Sequence, residues 1–274
     1  LRTSALTGLT TAQVSKLTTD QIVALTTTQA AALSATQVAA LTTAQLVALQ
    51  TDDLASLSVT ALKAMTTAQV SNLTTAQVVA LTSTQAAALT STQVAALTTA
   101  QIVALQTDDL ASLSATAVKA MTTAQVSNLT TAQIVALTTT QAAALTSAQT
   151  AALTTAQVAA LATDDLTSLS TAGLAGLTTA GIVALTTAQA TSLAAADLAA
   201  LGTAQIAAIA TDDLASLTTA GLSGLTTAQV SNLTTAQVVA LTTTQAGALS
   251  VTQAAALTTA QIVALQTDDL ASLS

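Results

Sequence analysis

Leucine returns at every eighth position of the chain from Leu1 to Leu273, and only Met65, Met121 and Ile209 replace it. Between the leucines the polar and apolar positions also keep their places. In Leu73 to Ala80, L-T-T-A-Q-V-V-A, we letter the octad a to h, so that a is Leu73, e is Gln77 and h is Ala80. In nearly every octad Ser or Thr occupies b or c, f is apolar, and h is small. Gln fills e in 22 of the 34 octads, which ties that residue to one place in a local structure.

The pattern predicts one short helix per octad. With the N-cap at b, Thr74 and Gln77 stand in the spacing of a capping box, and Leu73 with Val78 in that of a hydrophobic staple. Where c is Ala35, Val59, Ala115 or Val251, position b is Ser. Where b is Gln50, Gln106, Ala162 or Gly202, position c is Thr51, Thr107, Thr163 or Thr203, and the cap is expected to move to c. Only Leu193 to Ala200 lacks a hydroxyl at both, with Asp197 placed to offset the loss. A helix from c to the next a has about six or seven residues, too short to stand alone in water. Each must be held by its neighbours, with a and f as the core pair and small h residues allowing close approach.

These octads predict an all-α repeat solenoid of consecutive short helices, one per eight residues, running as a single array over residues 1–274. A β-solenoid is the alternative, handicapped by Ala-rich segments and few turn residues. One long helix fits poorly, because eight residues at about 100° each carry the Leu stripe around the helix by about 80° per octad.

A longer period overlies the octad. The segments LQTDDLAS at 49, 105 and 265, LATDDLTS at 161 and IATDDLAS at 209 are separated by 56, 56, 48 and 56 residues, so seven octads form a super-repeat and one copy is an octad short. Thin octads centred on Ala30, Ala86, Ala142, Ala246 and Ala254 are candidates for bends or for the approach of another chain. Gly173, Gly176, Gly181, Gly202, Gly221 and Gly224 loosen the texture between Leu169 and Gly224, the stretch expected to be least protected.

Composition removes most chemistry. The chain has no aromatic residue, Pro, Cys, His or Glu, and its twelve acidic residues are all Asp. Four basic residues, Arg2, Lys16, Lys63 and Lys119, leave a net charge of −8 and no cationic surface for nucleic acid. Mean hydropathy is +0.69, yet Thr and Gln interrupt every apolar run well short of the roughly 18 residues a membrane span needs. Ser and Thr have no His to activate them, so no enzyme, cofactor or metal site is assigned. The first residue is Leu and the last octad is broken off, which reads as a piece of a longer array.

The concentrated charge lies in five pairs: Asp52 with Asp53, Asp108 with Asp109, Asp164 with Asp165, Asp212 with Asp213, and Asp268 with Asp269. They suit either Ca²⁺, which wants six to eight oxygens, or the first turn of a helix, where negative charge favours the macrodipole. The second role needs no ligand, and it expects Asn at 108 and 109 to weaken the fold slightly. The Gln ladder reads as capping before it reads as a binding surface. Thr rows are candidates for an ice-ordering lattice or for glycans, though capping already accounts for them.

The block LTTAQVVALTSTQAAALTSTQVAALTTAQIVAL, Leu73 to Leu105, resembles octad arrays of very large proteobacterial surface or secreted proteins of adhesin-like or haem-utilisation-like type. That resemblance implies an extracellular or cell-surface protein exported without a cleaved signal. Haem ligands are missing, since Met65 and Met121 sit at the core position a. The opening L-T-x-x-Q-V-V-A is also similar to TAL-effector repeats, but their base-reading loop and positive charge are absent. Together these readings predict a structural module of an extracellular filament, sheath or adhesin stalk. Its partners would be other copies of itself, associating laterally or end to end, with any surface anchor outside this segment. A calcium- or carbohydrate-binding module is the alternative.

Overall fold

A computed structural model describes residues 2–273. It contains thirty-four α-helices of four to six residues, and no strand among the described residues. Every octad makes one helix, which replaces the β-solenoid alternative with the all-α solenoid. Helices such as Thr43–Ala48 and Thr99–Ala104 reach the expected six residues, and others such as Thr75–Val79 stop at five because the chain leaves helical conformation before the next a. In Leu73 to Leu81 the helix is Thr75–Val79, capped by Thr74 in extended conformation, and Ala80 ends it.

The cap sits at b, as the pattern predicts. Thr74 Oγ1 accepts from the Gln77 backbone N–H at 3.1 Å, and Gln77 Oε1 accepts from the Thr74 N–H at 3.0 Å. The Ser residues at b do the same: Ser58 accepts from the Ala61 N–H at 3.2 Å, and Ser114 from the Ala117 N–H at 3.1 Å. Ala194 has no hydroxyl, and its N–H donates to Asp197 Oδ2 at 2.9 Å.

One expectation is corrected. Where b is Gln50, Gln106, Ala162 or Gly202 the cap does not move to Thr51, Thr107, Thr163 or Thr203; the b residue stays at N-cap without a side-chain bond, and Thr becomes the first helical residue. Moving the cap would shift the whole octad by one residue and turn a and f out of the core. A cap is worth about 1 kcal/mol, whereas burying a branched side chain is worth roughly 1.5–3 kcal/mol, so core register prevails.

The chain forms two compact units, Leu1–Gln141 and Ala142–Ser274. Inside each, the helices wind into a coil whose core is lined by positions a and f. Val78 at f is fully buried, and Leu73 and Leu81 at a are nearly so. In each unit a helix packs against the third helix before it, as Thr99–Ala104 does on Thr75–Val79 and Thr259–Ala264 on Thr235–Val239. No helix among the described residues is long and apolar enough to cross a membrane.

Two glycines mark where turns come closest. A Cβ on Gly176 would lie 2.5 Å from the Ser147 carbonyl oxygen, and one on Gly224 would clash with that of Ala195. Both are at position h, where the octad pattern calls for small residues. The Gly-rich stretch is therefore not simply loose: at these two places glycine is what lets backbones approach.

Candidate functional site

The side chain that organises the coil is Gln at e, and it does more than cap. Gln77 is buried, with Oε1 turned to its own N-cap, and Nε2 donates to the carbonyl oxygens of Leu46 and Leu49, each at 2.8 Å. Leu46 lies within the helix Thr43–Ala48, where its carbonyl also accepts from the Leu49 N–H at 3.1 Å, and Leu49 is the residue that follows that helix. The bonds span 31 and 28 residues. Gln93, Gln125 and Gln133 repeat them in the first unit, and Gln189, Gln205 and Gln245 in the second.

This register gives the super-repeat its meaning. A separation of 28 residues is three and a half octads, and twice 28 is 56, the spacing of the Asp-Asp octads at 49 and 105. Gln77 reaches the octads three and four before its own, so a turn takes between three and four octads and seven octads make about two turns.

In the Asp-Asp octads the two carboxylates separate. Asp52, Asp108, Asp164, Asp212 and Asp268 at d are exposed, while Asp53, Asp109, Asp165, Asp213 and Asp269 at e are buried in the place Gln takes elsewhere. Both lie in the first helical turn, as the dipole reading expects, and the second of each pair is buried there. Their helices pack on the thin octads of the preceding turn: Thr51–Ser56 on Thr27–Ala31, Thr107–Ser112 on Ser83–Ala88, and Thr267–Ser272 on Thr243–Gly247. Small Ala30, Ala86 and Ala246 at f let the shorter Asp reach across. Ser83 donates to Asp109 Oδ1, and Thr243 to Asp269 Oδ1, both at 2.9 Å. What approaches these thin octads is the next turn of the same chain.

The other carboxylate oxygen is left over. Oδ2 of Asp53, Asp109 and Asp269 is buried with no hydrogen-bond partner. Burial pushes the Asp53 and Asp165 carboxyls above their ordinary range, and the charge of the preceding Asp adds to it. Burial likewise raises Asp109, with the Ser83 hydroxyl pulling it down and Asp108 pushing it up. An Asp cannot donate to the f and a carbonyls that Gln would reach, and where b is Gln its amide bonds the g carbonyl between them. Gln50, Gln106 and Gln266 donate to the carbonyls of Val23, Val79 and Val239 at 3.0, 2.8 and 3.1 Å.

The family description "ALTTAQ repeat" matches residues 1–27, 46–83, 72–99, 102–139, 158–195 and 206–243. The chain belongs to the ALTTAQ repeat family. No curated protein and no solved structure matches it.

Read on this fold, the ALTTAQ hexad runs from h of one octad to e of the next, as in Ala96 to Gln101. It holds the small contact residue, the core Leu, the cap and the Gln that ties one turn to the last. Sequence reading found the cap and missed the tie. The signal was available in the absence of Glu, since a capping box accepts Glu as readily as Gln but only Gln carries N–H groups to donate.

Other candidate residues fall into place around this core. No group of three His, Cys, Asp or Glu residues placed to hold a metal ion occurs among the described residues. The Thr hydroxyls at b are occupied as caps. Because successive octads point to different sides of the coil, they are spread around it and not gathered on one face. Met65 and Met121 are buried at a.

Proposed function

We propose that this ALTTAQ repeat chain is a structural module, part of an extracellular filament, sheath or adhesin stalk that associates with copies of itself and carries out no catalysis. One observation carries the reading: the same pair of Gln amide bonds, over 28 and 31 residues, recurs turn after turn within each unit. A coil built this way lengthens by adding octads, without needing a new kind of interface, and its stability accumulates from neighbour to neighbour. The residues that would do chemistry are instead committed to structure. Gln and Thr cap and tie, and the second Asp of each pair packs against a thin octad.

Export and self-association are supported by the resemblance to surface arrays and by the uncharged character of most octads. Electron microscopy of the natural protein, released from cells without denaturant, tests the proposal. Filaments with walls of short stacked helices are expected. Dispersed single molecules inside the cell would overturn it.

A further inference from the structure

Position g supplies most of the large apolar side chains that stacked turns leave uncovered. In the Leu1–Gln141 unit these are Val23, Val47, Val79, Val103 and Val135, which stand 42 to 59% exposed. Their helices follow one another up the coil. Thr43–Ala48 packs on Thr19–Val23, and Thr99–Ala104 on Thr75–Val79. Gln77 Nε2 approaches the Val47 carbonyl at 3.4 Å, and Gln133 Nε2 the Val103 carbonyl at 3.4 Å. One valine per turn therefore forms a continuous seam. In the Ala142–Ser274 unit Val183, Val239 and Val263 repeat it, with small Ala207 on the turn between the first two.

Around each valine the surface is Thr at c and Ala at d, and Asp20 is the one charged residue in any of these octads. The valine octads are thus poor in charge on a chain that carries −8, while the Asp-Asp octads, with exposed Asp52 and Asp108, border the seam through Gln50 and Gln106 on the Val23 and Val79 carbonyls.

The geometry points to this seam as the lateral contact between two copies of the chain. This inference rests on the self-associating reading above and names its surface. Two chains of equal negative charge repel wherever Asp faces Asp, and the valine octads, which hold only Asp20, are where that repulsion is least. The valine spacing is set by the coil's own turn, so a second copy matches it along its whole length, and a two-fold axis places seam on seam. Area sets the strength. A fully covered valine removes roughly 100 Å² from water, so five half-exposed valines with their Thr and Ala neighbours offer a few hundred Å². A stable dimer buries about 800 Å² on each partner. One unit falls short of that, and each added turn extends the seam. Pairing is weak for this chain and grows with the number of repeats.

Sedimentation equilibrium of the full 274-residue chain, up to about 1 mM where contacts of less than standard size form, tests the seam. The wild-type mass is expected to rise towards a dimer. The triple variant Val47→Lys, Val79→Lys, Val103→Lys should stay monomeric, with association at least tenfold weaker. A control, Ser71→Lys with Ser127→Lys at g of other octads, should behave as wild type. If circular dichroism shows that the Lys variant has lost helix, the isosteric Val→Thr triple takes its place. A wild-type chain that remains monomeric throughout, or a valine variant that pairs as wild type does, overturns the seam. The filament reading fails separately, if the natural protein forms no filaments at all.

Discussion

Gln77 donates its side-chain amide to the carbonyl oxygen of Leu49, 28 residues earlier, at 2.8 Å. The same side chain caps its own helix, so one residue joins local and long-range order. Replacing it by Glu keeps the cap acceptor and removes both donors. Gln77→Glu is therefore expected to cost about 2–3 kcal/mol at neutral pH, through an unpaired buried charge and the lost amide donor to the Leu46 and Leu49 carbonyls. Chemical denaturation of wild type and variant measures this. Part of the loss should return in acid, where a protonated Glu can donate again. Equal stability of the two proteins would mean that the amide bonds contribute nothing.

Asp108 and Asp109 are neighbours in sequence with opposite surroundings, exposed and buried. Asp108→Asn should lose only a macrodipole contribution of about 0.3–1 kcal/mol. Asp109→Asn places an N–H donor where Oδ2 has no partner, and should be neutral or stabilising by about 1 kcal/mol. This revises the expectation that both replacements weaken the fold.

The raised carboxyls of Asp53, Asp109 and Asp165 make the fold acid-favoured over a defined window. A group whose folded value lies above its unfolded one binds its proton more tightly in the fold. Its contribution is fully present below the unfolded carboxylate value of about 4 and is lost as pH rises through the raised folded value. Melting temperature should therefore fall as pH rises from about 4 towards neutrality. The triple Asn variant at these positions should flatten that dependence, and an unchanged slope would contradict the assignment.

Gly176 and Gly173 lie in one helix, Thr171–Gly176, and should respond oppositely to Ala. At Gly176 the added Cβ meets the Ser147 Cα at 2.7 Å, and overpacking of this kind costs about 1–3 kcal/mol. At Gly173 the nearest atom is 3.4 Å away, an ordinary contact, and Ala should add about 0.5–1 kcal/mol of helix preference. Thermal melting of the two single variants decides it.

Between Leu169 and Gly224, Gly173, Gly181 and Gly221 occupy e and bring no amide to the preceding turn. Close backbone approach at Gly176 and Gly224 does not replace those bonds. Backbone hydrogen exchange should be fastest in this stretch of the second unit, and uniform protection along the unit would count against the role given to Gln.

What could be read from the residues alone follows from what an octad can encode. The cap at Thr74, the core places of Leu73 and Val78 and the small residue at h are all local preferences, visible in the eight positions. The partner of Gln77 lies 28 residues away, and no local rule names it. For the same reason Asp109 could not be told from Asp108, because their difference comes from Ser83 and Ala86 on the turn below. The move of the cap to Thr107 fails similarly, since it weighs one hydrogen bond and leaves out the core register that the neighbouring turns impose.

The central claim is that Gln amides bind turn to turn, and side-chain amide hydrogen exchange by nuclear magnetic resonance tests it most directly. Gln77, Gln93 and Gln133, buried against carbonyls of the preceding turn, should exchange slowly, while exposed Gln13 and Gln21 exchange at the rate of a free side chain. If all of them exchange at the free rate, the turns are not held together in this way.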